Sequence, residues 1–386
     1  MTDYILLAAS AQAVLLTAFI LHRRRRLHAN RFLGAMTGLY AVILFYLFAG
    51  EQGLLEPHPL PMVLIMGSAL CIAPLHFLYA RSLIRPEKPS LRKYGFHFTP
   101  FFLFEAGQFL IAIRHPDRLS TRLERMASGG LTPEDSVFNW LILIQGGIYL
   151  FLTLRLLRAH SRRVEAVFSS PARVRLTWLR NVTRFACLVL FAFLVENLFF
   201  LSGINLTDYF TLTSTLTAVY IFAIGYLGLL RAEIVIAPET AGPMQTLAEL
   251  DSTEPGRGRG EKYIKSGLGP DRAAALEAKL LHFMETDTPY RDSDLTLTRL
   301  ASRLSVSPHN LSEVINTRLN RNFFDFVNEY RVEQVKRDLT DPKKRNLTLL
   351  AVAFDAGFNS KISFNTLFKK QTGLTPSEFR RKALRF

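Results

Sequence analysis

Cysteine is nearly absent from this 386-residue chain, and no catalytic or metal-binding motif takes its place. The two cysteines, Cys71 and Cys187, fall in apolar segments, where a small buried hydrophobic role is usual. No CxxC pair or Cys/His spacing indicates a metal site. No GxSxG, HExxH or phosphate-binding Gly-Lys loop occurs. The sequence therefore predicts a protein that is not an enzyme and that holds no metal and no cofactor.

Acidic residues are few relative to basic ones, since 47 Lys and Arg face 32 Asp and Glu and leave a net charge of +15. Such an excess of positive charge favours binding to nucleic acid or to an anionic lipid surface. Much of it lies between apolar segments, where membrane topology explains it equally well. The net charge alone therefore does not identify a partner.

Seven predominantly apolar segments, each about long enough to cross a bilayer, occupy residues 1–232. They are 4–21, 32–50, 62–84, 95–113, 137–157, 182–203 and 211–231. The sequence thus predicts a seven-helix membrane bundle. Segment 4–21 has no basic residue before it and no small-residue cleavage site after it. We expect it to be a retained helix and not a signal peptide.

Lys and Arg are distributed unevenly among the connections between these segments. Connections 51–61 and 204–210 contain neither residue, whereas 22–31, 81–93 and 155–180 are rich in them. Connection 114–136 carries charges of both signs. Because basic residues prefer the cytoplasmic side, the pattern predicts an N-terminus outside the membrane and a C-terminus in the cytosol.

Three ionisable residues lie deep within apolar segments: His76, Glu105 and Glu196. Such groups are costly in lipid, so we expect them to face the bundle interior and to have partners there. Two interpretations stay open. The residues form a polar cavity or proton-sensitive switch that senses a small-molecule or membrane-derived signal, or they only hold the bundle together by interhelical hydrogen bonds.

Composition changes after residue 232. Residues 233–270, which include DSTEPGRGRGE, are predicted to be a cytosolic linker. Residues 271–290 are predicted to contain an amphipathic connector helix. Its apolar residues are Leu276, Leu280, Leu281, Phe283 and Met284. Three partners stay open for this apolar face: the C-terminal region, another subunit and the membrane surface.

The remaining residues, 291–386, contain two successive helical hairpins. In the first, Leu297, Leu300, Ala301 and Leu304 recur at helical spacing before a break at Ser305 and Val306. Ser307 is a predicted N-cap, and Pro308 suits the first position of the next helix. That helix is expected to bury Leu311, Val314 and Ile315 and to turn Pro308, His309, Ser312, Glu313 and Asn316 outward.

The second hairpin repeats this arrangement. Leu347, Leu350, Ala351 and Phe354 are predicted to form its first apolar stripe. Gly357 supplies the turn, and Ser360 caps a helix from Lys361 to about Thr372. Phe364, Leu367 and Phe368 are expected to face inward, and Lys361, Ile362, Asn365, Thr366, Lys369 and Lys370 outward. A longer helix, residues 323–339, separates the two copies and would fix their spacing.

Here the sequence closely resembles the AraC/XylS family of transcription regulators over residues 295–382. The resemblance rests on LASRLSVSPHNLSEVINTRLNRNFFDFVNEYRVEQVK and LAVAFDAGFNSKISFNTLFKKQTGLTPSEFRR. It implies that the two second helices contact bases of double-stranded DNA, roughly one helical turn apart. The positions that carry these contacts are Pro308, His309, Ser312, Glu313, Lys361, Ile362, Asn365 and Thr366. The basic residues near the second hairpin, including Arg380, would contact phosphates. Glu313 either accepts a hydrogen bond from a cytosine amino group or is a solvated helix position.

These inferences combine into one expectation: an all-α, membrane-anchored transcription regulator of the bacterial inner membrane, with a C-terminal DNA-binding domain. Seven crossings deliver that domain to the cytosol, where the DNA is. A membrane enzyme would need clustered His and carboxylate residues, and the histidines are scattered. A membrane DNA tether without regulated output has the same two domains and remains the alternative. Dimerisation also stays open, because two hairpins in one chain already cover two groove segments.

Overall fold

The chain is all-α in the computed structural model, as predicted. The structure describes residues 2–22, 29–52, 65, 67–85, 94–115, 133–171, 176–202, 210–235 and 268–383. Within these ranges fourteen α-helices form, and the one β-type pairing is an isolated antiparallel bridge between Phe168 and Thr296. The chain divides into two compact units. Unit 1 holds the apolar helices, and unit 2 holds the C-terminal region.

Each of the seven apolar segments contains a helix. These helices are α1 (Thr2–His22), α2 (Ala29–Glu51), α3 (Ile72–Ile84), α4 (Thr99–Arg114), α5 (Pro133–Glu165), α6 (Thr177–Leu201) and α7 (Phe210–Val235). Short 3₁₀ turns, Ser68–Cys71 and Gly95–Phe98, precede α3 and α4. In the described residues α1, α2, α5 and α6 are long and apolar enough to cross a membrane, while 68–84 and 213–228 are shorter apolar helices.

Large apolar side chains are exposed on α1, α2 and α4–α7. The most exposed of them include Tyr4, Leu15, Phe102, Leu103 and Val137. Among the described residues the remaining members of this class are Phe96, in the turn before α4, and Leu347, Phe354 and Ile362, in unit 2. An apolar surface spread over six helices is unfavourable in water and suits a lipid environment. Between α1 and α2, polar contacts supplement the apolar packing, since Thr17 Oγ1 lies 2.8 Å from Thr37 Oγ1.

Unit 2 comprises Ala159–Arg175, described as far as residue 171, together with the chain from 234 onward. Most of the predicted linker, residues 236–267, lies outside the described residues. The helices of this unit are α8 (Pro270–Thr286), α9 (Leu297–Leu304), α10 (Pro308–Thr317), α11 (Phe323–Thr340), α12 (Leu349–Asp355), α13 (Lys361–Thr372) and α14 (Pro376–Ala383). Six of them begin with a side-chain N-cap: Thr296, Ser307, Asn322, Thr348, Ser360 and Thr375. These caps fix where each helix starts and therefore which side chains face the core.

The first of two cores in unit 2 lies under the first hairpin. Leu297, Leu300, Ala301 and Leu304 of α9 are buried against Leu311 and Ile315 of α10, as the spacing predicts. The apolar face of α8 also joins this core through Leu280 and Met284. This packing shows contact with one of the three partners left open for this helix, the C-terminal region. Lys279 Nζ donates to the Leu304 carbonyl at 2.7 Å, which fixes the connector helix beside the end of α9.

The second core lies under the second hairpin, and there the predicted apolar stripe is wrong. Leu347 and Phe354 are exposed, and Val352 and Ala353 are buried instead. The reason is the N-cap Thr348, whose hydroxyl accepts from the Ala351 N–H at 3.1 Å. The cap starts α12 at Leu349, so Leu347 precedes the helix and the buried face turns toward α11 and α13. The stripe of α13 is as predicted: Phe364, Leu367 and Phe368 are buried.

A close backbone approach joins the segment before α9 to the turn of the second hairpin. Gly357 has a φ of +97°, and a Cβ there would overlap the Tyr290 carbonyl oxygen and lie 2.9 Å from Arg291 Cα. Only glycine accommodates both the left-handed backbone and this contact. The sequence predicted the left-handed turn, and the approach of residues 290 and 291 is a second reason for the same glycine.

Arg331 of α11 is fully buried, which was not predicted from the sequence. The five N–H groups of its guanidinium make six hydrogen-bond contacts, since Nη1 has three acceptors; two of the six are to the carbonyls of Tyr290 and Asp292 at 2.8 Å. Its Cζ lies 6.0 Å from the centroid of the Phe358 ring. Burial lowers the pKa of Arg331 to about 10, so the group stays charged at neutral pH. This buried cation joins α11, the 290–292 segment and the second hairpin's turn.

We expect Gly357→Ala to destabilise unit 2 more than Gly373→Ala does. Gly373 also has a positive φ, +75°, but a Cβ there would meet nothing within 4 Å. The control variant Gly373→Ala should therefore lose only about 1 kcal/mol of stability, the cost of a left-handed backbone at a residue with a Cβ. Gly357→Ala should lose more, because its Cβ also clashes with the backbone. Hydrogen exchange of buried amides in α11 and α13 of the full-length protein measures the opening free energy. An equal loss of opening free energy in both variants would contradict the close approach of Gly357 to residues 290 and 291.

Candidate DNA-binding interface

The second helix of each hairpin starts at a serine cap. Ser307 Oγ accepts from the Asn310 N–H at 3.2 Å, and Ser360 Oγ accepts from the Ser363 N–H at 3.4 Å. Pro308 occupies the first turn of α10, where the missing N–H costs nothing. Both predicted caps are confirmed as features of the fold. They set the rotation of α10 and α13, and so decide which side chains point away from the cores.

The outward face of α10 is polar and only modestly charged. His309 and Asn316 are exposed, while Ser312 and Glu313 are half-buried. The Asn316 amide donates to the Ser312 carbonyl at 2.8 Å and lies 3.1 Å from its hydroxyl. These groups are hydrogen-bond donors and acceptors of the kinds that can pair with base edges. Their capacity for base contact stays a prediction.

The outward face of α13 is longer and more basic. Its exposed residues are Lys361, Ile362, Asn365, Thr366, Lys369 and Lys370, all at positions predicted from the sequence. Ile362 is 79% exposed, which is high for a large apolar residue in a helix of this unit. Asparagine can pair with adenine, and an aliphatic side chain can contact the thymine methyl group. Lys370 lies 3.7 Å from the Asp325 carboxylate, so its ammonium is held near the start of α11.

Arg380 of α14 has a more specific environment than the sequence indicated. Its Nη1 donates to the Leu347 carbonyl at 2.7 Å, and its Nη2 contacts the Arg345 carbonyl. The guanidinium thereby fastens the segment that leads into α12. The predicted phosphate contact of Arg380 remains a prediction, and the backbone contacts give this residue a structural role in the second hairpin.

The three ionisable residues of the apolar helices have different surroundings. His76 is buried, with Nε2 3.0 Å from Thr183 Oγ1 and Nδ1 2.8 Å from the Tyr220 hydroxyl. The Thr213 hydroxyl donates to Glu196 Oε1 at 2.6 Å. The expectation that they find partners holds for His76 and Glu196.

Glu105 differs from the other two. Among the described residues neither of its carboxylate oxygens has a hydrogen-bond partner. The carboxylate lies against Gly67, where a Cβ would overlap Oε1 and approach the carboxyl carbon to 2.8 Å. Any larger residue at position 67 would therefore displace the Glu105 side chain.

Sequence comparison agrees with the two-hairpin geometry. Residues 300–382 match the family model described as a helix-turn-helix domain. The C-terminal region is a helix-turn-helix domain. Similar proteins include the arabinose operon regulatory protein of Escherichia coli (strain K12), which is 29% identical over 89 residues. That match covers 23% of this chain and 30% of the relative.

Two further relatives match over a similar length. An HTH-type transcriptional regulator of Pseudoalteromonas carrageenovora is 32% identical over 89 residues, covering 23% of this chain and 51% of the relative. One from Staphylococcus aureus (strain COL) is 34% identical over 100 residues, covering 26% of this chain and 12% of the relative. The chain thus spans about half the length of one relative and less than a third of the other two. No solved structure matches the chain significantly.

We expect the outward residues of α13 to be dispensable for folding. Lys361→Ala and Ile362→Ala remove exposed side chains, so each should change the unfolding free energy by less than about 0.5 kcal/mol. Phe364→Ala, in the same helix but buried, should cost about 3–5 kcal/mol. Hydrogen exchange of α13 amides distinguishes the two classes. A large loss for Ile362→Ala would mean that this side chain serves the fold rather than a binding surface.

Proposed function

We propose that this chain is a membrane-anchored, sequence-specific DNA-binding transcription regulator that couples a signal sensed by its apolar helices to gene expression. The observation that carries the proposal is that one chain contains two features. These are a helix-turn-helix domain with two outward-facing helices and several apolar helices long enough to cross a membrane. The relatives named as transcriptional regulators and as an operon regulatory protein support the DNA-binding half. The exposed apolar side chains of α1, α2 and α4–α7 support the membrane half.

DNA binding would use α10 and α13 in successive major-groove segments of one duplex. Asn365, Lys361 and Ile362 have the chemistry to read base edges and thymine methyl groups. Lys369 and Lys370, in the last turn of α13, suit phosphates. On α10, His309 and Asn316 are the exposed polar candidates. The face of α13 would therefore contribute most of the salt-dependent affinity, and α10 mainly selectivity.

The proposed location is the bacterial inner membrane, with the N-terminus outside and the C-terminus in the cytosol. The uneven distribution of Lys and Arg between alternate connections supports this orientation. The same orientation is the one that a DNA-binding domain at the C-terminus requires. The proposed partners are thus double-stranded DNA and the lipid bilayer, together with a small-molecule or membrane-derived ligand and a second copy of the chain.

The proposal predicts that the full-length protein, purified in lipid nanodiscs, selects one defined motif from genomic DNA fragments. The double variant Lys361→Ala, Asn365→Ala should lose or relax that motif, because it removes a cation and a bidentate amide from an exposed helix face. Lys336→Ala is the matched control, since this lysine is paired with Glu333 in α11 and should leave selection unchanged. Binding without a motif and with only a steep salt dependence would contradict regulation and favour a DNA tether.

Signal sensing is assigned to the polar residues of the apolar helices, His76, Glu105 and Glu196. We expect Glu105→Gln and Glu196→Gln to change the response of the target genes at least severalfold, because each removes an ionisable group from an apolar helix. The intrinsic DNA affinity of the C-terminal domain should stay unchanged, since both residues lie outside the helix-turn-helix domain. Reporter transcription, normalised to the amount of protein in the membrane, measures the effect. A normal response in both variants would contradict this assignment.

A further inference from the structure

The end of α5 and the connection that follows it form part of the core under the first hairpin. Val164 and Val167 are fully buried in this core, and Phe168 is nearly so, beside residues of α9, α10 and α11. In sequence, these residues lie at the junction of α5 with the connection to α6, more than a hundred residues before the helix-turn-helix domain. We call residues 164–171 the clasp. Its apolar side chains supply part of the core that α9 and α10 need in order to pack.

Backbone hydrogen bonds register the clasp against the start of α9. The Ser169 N–H donates to the Leu295 carbonyl at 3.3 Å, and the Leu297 N–H donates to the Val167 carbonyl at 2.9 Å. These two bonds flank the bridge between Phe168 and Thr296, and Thr296 is also the N-cap of α9. The first helix of the first hairpin therefore starts on a residue that the clasp holds in place.

Arg331 binds the clasp with half of its hydrogen bonds. It donates to the Ser169 carbonyl, the Ser169 hydroxyl and the Ser170 hydroxyl at 3.0–3.3 Å. The Asn328 amide adds a bond to the Ser169 carbonyl at 2.9 Å. Removal of the clasp would leave N–H donors of this buried cation without acceptors, which costs free energy. The Arg331 site is therefore complete only with the clasp docked.

We propose that the first hairpin carries an intramolecular docking surface for the clasp, and that occupancy of this surface sets the order and DNA affinity of the hairpin. Because the clasp is covalently continuous with α5 and α6, a shift of these helices would reach Thr296 without passing through the linker. This inference rests on the proposed function for its DNA readout only. Among the residues that the structure describes, the second core contains none from the clasp. Release of the clasp should therefore leave the second hairpin unchanged.

The test uses the full-length protein in nanodiscs and a variant that releases the clasp, Phe168→Asp. Hydrogen exchange in α9 and α10 should accelerate by on the order of tenfold or more, while exchange in α13 should stay as in the unmodified protein. DNA affinity should fall in parallel. Arg162→Ala is the matched control, since this residue is exposed and precedes the clasp. Unchanged exchange in α9 and α10 of Phe168→Asp would overturn the proposal.

A second variant keeps the test decisive if Phe168→Asp misfolds. Phe168→Cys with Thr296→Cys, combined with Cys71→Ala and Cys187→Ala, places two thiols at a non-hydrogen-bonded bridge pair, where side chains lie close. On oxidation the disulfide should form, so that the two fragments stay joined after the linker is cleaved. Hydrogen exchange in α9 and α10 should then be slower than in the reduced protein. Absence of the cross-link would overturn the proposal. Slowed exchange in a protein that selects no DNA motif would uphold clasp docking and contradict the proposed function instead.

Discussion

One buried charge, the guanidinium of Arg331, organises the C-terminal unit. A cation removed from water is tolerated only when its donors are satisfied, and Arg331 satisfies them with six contacts from three separate segments. These segments are the clasp, residues 290–292 and α11 itself. Because all three must be in place together, the clasp, residues 290–292 and α11 form one cooperative arrangement under the first hairpin.

The two hairpins could be predicted from the sequence because their signals are local. Apolar residues at helical spacing located α9, α10 and α13, and Ser307 and Ser360 located the caps. The phase of α12 could not be obtained in this way, since its seven residues carry apolar side chains on several faces. There the hydroxyl of Thr348 decides where the helix starts, and packing against α11 and α13 decides which residues are buried.

The clasp and the Arg331 site depend on contacts distant in sequence, which no local pattern reveals. Ser169 and Arg331 are separated by 162 positions, and Phe168 looks from its sequence like one residue of a loop between apolar helices. One signal was available for the arginine. Val327, Arg331 and Val335 share a helical face at spacing four, which places a charge among core residues. The outward residues of α13 were predictable as exposed, but their DNA contacts depend on a partner that sequence periodicity does not describe.

The most direct measurement is the DNA that copurifies with the membrane fraction of cells after brief formaldehyde cross-linking, recovered with the full-length protein and sequenced. A regulator that acts from the membrane should yield a limited set of chromosomal sites that share one motif, recovered from membranes and depleted when Lys361 and Asn365 are replaced by alanine. Recovery of chromosomal DNA without a shared motif, or recovery of the sites only from the soluble fraction, would contradict a sequence-specific regulator that acts from the membrane.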